Sequence, residues 1–185
     1  TDKFVTFEPR FFELKFGADG GFPATYAGVA FTGSIDRIDV NARGEAIIID
    51  YKHKAAQALS SYAVQKSAVE QNPEDMPSHV ELPRHVQAII YAQVVRTYLK
   101  SRNLTSVGAM YLGTHQNYAL YGAAPELYIN KIFGLSDEQK PSKGMLSCVA
   151  GDTVGAFNEY LDAWEDKIKQ AVERMLNGDI HAHAL

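Results

Sequence analysis

The sequence has 185 residues, 46% of them hydrophobic, with 18 Lys plus Arg against 22 Asp plus Glu, a formal net charge of -4 and one cysteine. That length suits one domain with a single sizeable core, and a charged fraction of 22% is too low for a disordered chain. The lone Cys148 excludes an internal disulfide, a zinc cage of thiolates and an iron–sulfur cluster held by this chain alone, and it fits cytoplasmic residence.

Phe11 to Gly17 alternates and is rich in aromatics, which predicts a strand closed by the glycine-rich loop Gly17 to Gly21. Tyr26 to Val40 and Glu45 to Lys52 are β-rich runs joined by the turn Asn41-Ala42-Arg43-Gly44, so three antiparallel strands are expected near the start. Residues 55 to 70 have a helical composition, and Gln71 to Ser78 reads as an exposed, mobile loop. Pro83 suits the first turn of a helix reaching about Lys100, with Val86, Ile90 and Val94 on one stripe and Ile89 beside it. Val107 to Leu112 predicts another strand, and Gly122 to Gly151, broken by Pro125, Gly134, Pro141 and Gly144, reads as irregular. Asp152 or Thr153 can cap a last helix carrying Phe157, Leu161, Trp164, Ile168, Val172 and Met175 at i+3/i+4 spacing, closed by Asn177-Gly178.

No apolar run approaches the roughly 18 residues that span a bilayer, and no secretory signal is visible, so no membrane partner is expected. The chain opens on Thr1 rather than Met, which fits a fragment, a processed product or a trimmed expression product. Charge is unevenly spread. Residues 82 to 125 carry Arg84, Arg96, Lys100 and Arg102 and no acid, while seven acids fall between Asp152 and Asp179. A polyanionic partner is permitted by that distribution, although a solvated acidic helix beside an ordinary basic stretch explains it equally.

Three segments carry chemistry together: Gly33 to Asp39, Ile48 to Lys52, and Gln87 to Tyr91. Alternate residues of a strand share a face, so Asp50 and Lys52 project to the same side roughly 6.6 Å apart. Asp36, on the neighbouring hairpin strand, can be brought beside Asp50. Two adjacent carboxylates repel unless a cation separates them, and Mg²⁺ or Mn²⁺ with oxygen ligands resolves that conflict. The backbone carbonyl of Tyr51 is a further candidate ligand. Lys52 could orient and deprotonate water or stabilise developing charge. Gln87 and Tyr91, four apart on one helix, offer donors to a phosphate or a base edge. Each piece alone has a plainer account: Asp50 and Lys52 as a surface charge pair, Asp36 with Arg37 and Asp39 as a hairpin salt bridge, Gln87 and Tyr91 as capping or core-lining residues. His53 points to the other face of its strand, and His181 and His183 look like a metal clip but also like a tail.

The ordered set Gly33-x-Ile35-Asp36-Arg37-Ile38-Asp39, Asp50-Tyr51-Lys52 and Gln87-x-x-x-Tyr91, preceded by Glu13-x-x-Phe16-Gly17, resembles the PD-(D/E)XK nuclease superfamily and within it the RecB/AddB-type nuclease domains. The resemblance is strongest over about residues 11 to 98. It implies an α/β (α+β) fold with a central mixed sheet flanked by helices, a restriction-endonuclease-like core, and metal-dependent hydrolysis of DNA, with exonuclease action as one mode it allows. It puts metal ligation on Asp36 and Asp50, catalytic support on Lys52, and DNA contact or site organisation on Gln87 and Tyr91. Residues 1–185 then form one nuclease-like domain of a larger helicase–nuclease acting at double-strand ends in recombinational repair, with DNA and a helicase region or subunit as partners. The same fold acting as an inactive DNA-binding or assembly module is the alternative. Many relatives carry a further His or Glu on an upstream helix. Only 35 residues precede Asp36 here, so that ligand lies elsewhere or Glu13 takes its part. Many AddB-like members also hold an iron–sulfur cluster; none is expected in this chain, where Cys148 reads as a small buried residue, but the full-length parent could hold one.

Overall fold

Aromatic and aliphatic residues alternating near the start of the chain build β1 (Glu8–Phe16), which runs antiparallel to β4 (Gly33–Val40), and β4 in turn runs antiparallel to β5 (Glu45–Lys52). The computed structural model describes residues 7–18, 20–53, 86–115, 118–136 and 138–178. Three antiparallel strands are present as expected, but the run expected from Tyr26 to Val40 is divided: only β4 joins the main sheet, and β2 (Thr25–Tyr26) and β3 (Val29–Ala30) form a separate short ribbon. The β4–β5 turn is organised by Asn41, whose Oδ1 accepts from the backbone N–H groups of Arg43 and Glu45 at 2.9 and 3.1 Å. The helix expected over 55 to 70, the loop over 71 to 78 and the Pro83 helix start lie outside the described residues.

After α1 (Gln87–Ser101) the chain re-enters the sheet as β6 (Thr105–Gly113), parallel to β5, and returns as β7 (Leu120–Ala123), antiparallel to β6. Among the described residues the main sheet is therefore mixed, in the order β1-β4-β5-β6-β7. The stretch from Gly122 to Gly151, expected to be irregular, contains the end of β7, then α2 (Glu126–Ile132) and α3 (Lys143–Leu146). Its glycines and prolines punctuate short elements. Gly122 has φ +151°, and a Cβ there would lie 2.1 Å from the Ala109 carbonyl oxygen, so glycine is what lets β7 close on β6.

The sheet is covered on both sides. Ile38, Ala46, Ile48 and Ala109 face α1 and the last helix, α4 (Val154–Leu176), while Ile47, Ile49, Val107 and Met110 face α2 and Cys148. Both faces of β5 are thus buried, which explains its unbroken run of isoleucines. Helix α1 buries Ala88, Ile89, Tyr91, Ala92, Val94, Val95 and Leu99; of the predicted stripe only Val94 is fully buried, with Val86 and Ile90 half-buried, because the helix turns its Ile89 side into the space between the sheet and α4. Thr153 caps α4 by accepting from Ala156 N–H. Phe157, Leu161 and Trp164 are buried, each contributing about 1.5–3 kcal/mol of apolar burial, but burial fades beyond them and Met175 is exposed.

The basic and acidic stretches meet each other here. Arg96 on α1 pairs with Asp162 on α4 at 2.7 Å, and Gln93 donates to Asp162 and Glu165 at 2.9 and 2.6 Å. Glu165 also accepts from Ala27 N–H at 2.9 Å, tying down the β2–β3 ribbon. Burial works to raise the Asp162 pKa, but the hydrogen bonds from Gln93 and Arg96 and the Arg96 charge outweigh it and hold the carboxyl below its ordinary value. A depressed folded-state pKa stabilises the fold above the unfolded value, and that contribution is lost as pH falls through the folded value. Asp162→Asn is therefore expected to lower stability by less than about 1 kcal/mol at neutral pH, since the pair is half-exposed, with the difference from wild type vanishing in acid. Urea midpoints of the two proteins across an acid titration test this.

Candidate active site

The antiparallel pairing of β4 with β5 ends at Arg37 opposite Ile49. Ile35 and Ile38, three apart, nevertheless face the same core, so the period-two alternation breaks at Asp36-Arg37. The opposite strand is irregular at the same level: Glu13 lies between the Phe12–Arg37 and Leu14–Ile35 pairs with φ +47°. This local irregularity turns the Asp36 side chain toward β5, where its Oδ2 accepts from the backbone N–H of Tyr51 at 2.8 Å. Asp36 is thereby held beside Asp50 by a bond that a regular ladder would have made with a carbonyl.

Asp50 shares its face of β5 with Ile48, toward α1, and is 3% exposed. Lys52 Nζ lies 2.6 Å from Asp50 Oδ2 and donates to Gln87 Oε1 at 2.5 Å. Gln87 Nε2 approaches the Tyr91 hydroxyl at 3.5 Å, the long limit of a hydrogen bond. Asp50, Lys52, Gln87 and Tyr91 thus form one connected line from strand to helix. Burial raises the Tyr91 pKa, and the charges of Asp50 and, less strongly, Asp36 raise it further against the opposing Gln87 contact. Both carboxylates therefore act on one phenol, which stays protonated and able to donate.

The structure brings together Asp36, Asp50, Lys52, Gln87 and Tyr91. Glu13 stands apart, exposed, with its Oε2 3.4 Å from the Ser34 hydroxyl, and among the described residues no three His, Cys, Asp or Glu side chains gather as a metal cage. The Tyr51 side chain occupies the opposite face, where its hydroxyl meets Arg37 at 3.4 Å. Arg37 pairs there with Asp39 through two contacts of 2.5 Å, so the hairpin salt bridge is real and leaves Asp36 out.

One residue of the site is missing from the motif reading. Tyr111 sits on β6 directly beside Asp50 in the parallel register, fully buried. Its hydroxyl accepts from Ala88 N–H at 3.0 Å, satisfying a first-turn donor of α1, and Lys52 Nζ lies 5.8 Å from its ring centroid. Tyr111 thus fixes the helix end that carries Gln87 and floors the lysine. A tyrosine ending an apolar strand is the sequence signal; its weight depends on a parallel pairing that local pattern does not reveal.

The donor set fits a hard divalent ion. Two carboxylates at the carboxyl end of β5 and the adjoining break in β4 offer oxygen ligands, with one lysine as the neighbouring cation, and Mg²⁺ typically takes one or two protein carboxylates while keeping several waters. Asp36 and Asp50 are the side chains that would hold it.

No curated protein matches this chain at a significant level. The profile of a family does, over residues 2–184, almost the whole sequence, and the mixed sheet with flanking helices is consistent with that family's fold. Nucleases of that family typically use divalent metals, and no helix among the described residues is long and apolar enough to cross a membrane. The chain belongs to the PD-(D/E)XK nuclease superfamily.

Proposed function

We propose that the chain is a deoxyribonuclease that hydrolyses DNA phosphodiester bonds with Mg²⁺ or Mn²⁺ held at Asp36 and Asp50, the Tyr51 carbonyl completing the protein ligands. The observation that carries this reading is the continuous line Asp50–Lys52–Gln87–Tyr91 beside the Asp36 carboxylate. A divalent ion at such a pocket supplies Lewis-acid polarisation of the phosphate and lowers the pKa of a bound water.

The protein's own groups supply the rest. Lys52, held between Asp50 and Gln87, keeps its ammonium aimed at the space above the carboxylates, where it stabilises negative charge gathering on phosphorus oxygens and orients the attacking water. Gln87 holds that ammonium through its carbonyl oxygen and keeps its amide for Tyr91 or for a phosphate. Tyr91, kept neutral by burial and two nearby carboxylates, donates a hydrogen bond without adding charge. The resemblance of the three motifs to RecB/AddB-type domains supports a cytoplasmic role in end processing for recombinational repair, exonucleolytic and within a larger helicase–nuclease polypeptide.

Linear double- and single-stranded DNA incubated with the protein should be degraded with Mg²⁺ or Mn²⁺ and left intact with EDTA. Asp36→Ala should lose the metal-dependent cleavage and weaken Mn²⁺ binding. Metal-independent DNA binding without cleavage, unchanged in Asp36→Ala, would instead identify an inactive binding module.

A further inference from the structure

Beyond Lys52 the tips of β5 and β6 carry a second pair of ligating side chains. His53 follows β5 and His115 follows β6; both are exposed, and their ring centroids are 4.5 Å apart at 48°. The two tips are fixed to each other by backbone hydrogen bonds, Thr114 N–H to the Lys52 carbonyl at 2.9 Å and His115 N–H to the His53 carbonyl at 3.1 Å. The backbone positions of the two imidazoles are thus set before any ligand arrives. An exposed imidazole turns about its outer torsion with little preference, so either ring can present a nitrogen to a shared point without moving the strands.

We propose that His53 and His115 form a binding site for a borderline-soft divalent ion of the zinc class, separate from the carboxylate pocket. Imidazole nitrogen suits Zn²⁺, Ni²⁺ and Cu²⁺, whereas Asp36 and Asp50 offer only the hard oxygen that suits Mg²⁺ and Mn²⁺. The chain would therefore sort two classes of metal between two sites to which Asp50 and His53, a few residues apart, each contribute one ligand. Two protein ligands leave the remaining coordination positions to water or to an incoming phosphate. A bound ion would cross-link the ends of β5 and β6. The proposal stands on the imidazole geometry and does not depend on nuclease activity.

The test uses the metal-stripped chain with His181→Ala and His183→Ala in every sample, so that the tail histidines contribute nothing, and with excess Mg²⁺ to occupy the oxygen pocket. Calorimetric titration with Zn²⁺ should show a site that weakens about a hundredfold in His115→Ala and in His53→Ala, because the second ligand of a preorganised pair acts at high effective concentration. Asp50→Ala should leave it unchanged. Zn²⁺ binding indifferent to both histidine substitutions overturns the proposal, as does a loss in Asp50→Ala equal to that in His115→Ala. Both histidines are exposed, and circular dichroism of each variant checks that the fold is kept.

Discussion

Replacing Asp50 by asparagine is expected to abolish metal-dependent cleavage while leaving the fold intact. Asparagine keeps the shape of the side chain and one acceptor oxygen but removes the negative charge that pairs with Lys52 and that the proposed metal site needs. A catalytic metal contributes several kcal/mol of transition-state stabilisation, so the rate should fall by about 10³-fold or more. Breaking a buried ion pair by removing one partner is often severe, about 3–5 kcal/mol. Here the cost is smaller. Lys52 is partly solvated and keeps its hydrogen bond to Gln87. The expected pattern is a dead enzyme that melts within a few degrees of wild type and no longer binds Mn²⁺ in titration. Cleavage at the wild-type rate by Asp50→Asn would remove this residue from the mechanism.

Phe16→Ala should have the largest effect on stability, about 3–5 kcal/mol, the range for truncating a fully buried phenylalanine. Its ring lies against Phe22, Phe31 and Tyr91 with centroids 5.9, 5.8 and 5.7 Å away, and it sits on Gly33, where a Cβ would come within 2.7 Å of the ring. Little around it can collapse into the space it leaves. The edge-on contact with Tyr91 also carries the damage to the site, so residual activity should fall further than the folded fraction does. Phe12→Ala on the same strand is the control: that ring is 62% exposed, and its urea midpoint should shift by no more than about 0.5 kcal/mol equivalent. Equal shifts for the two variants would contradict this account of the core.

The strands around the site were legible because their signals are local. The Asn41–Gly44 turn and the alternation on either side of it define β4 and β5, and alternation alone puts Asp50 and Lys52 on one face. The last helix announced itself through its cap and its i+3/i+4 stripe. Other features depend on partners far along the chain. The role of Tyr111 needs the parallel pairing of β5 with β6, which no window of sequence contains. The break at Asp36 arises from two strands distorted at the same level. Arg96 belongs to the acid-free stretch whose charge permits a polyanionic partner, yet Asp162 engages it, because α1 and α4 are neighbours. Short elements such as β7 and α2 were hidden by the glycines and prolines that bound them.

The parallel pairing has a consequence in time as well as in space. Strands β1, β4 and β5 meet through short connections, whereas β6 joins β5 only after the chain has passed through α1. Contacts that close long loops form late, since their entropy must be overcome first. Asp36 and Asp50 therefore belong to the early, local part of the fold, while Tyr111, Gln87 and Tyr91 come into register only with the long-range closure. A chain still being synthesised therefore carries Asp36 and Asp50 before it carries the helix and strand that place Gln87, Tyr91 and Tyr111 beside them.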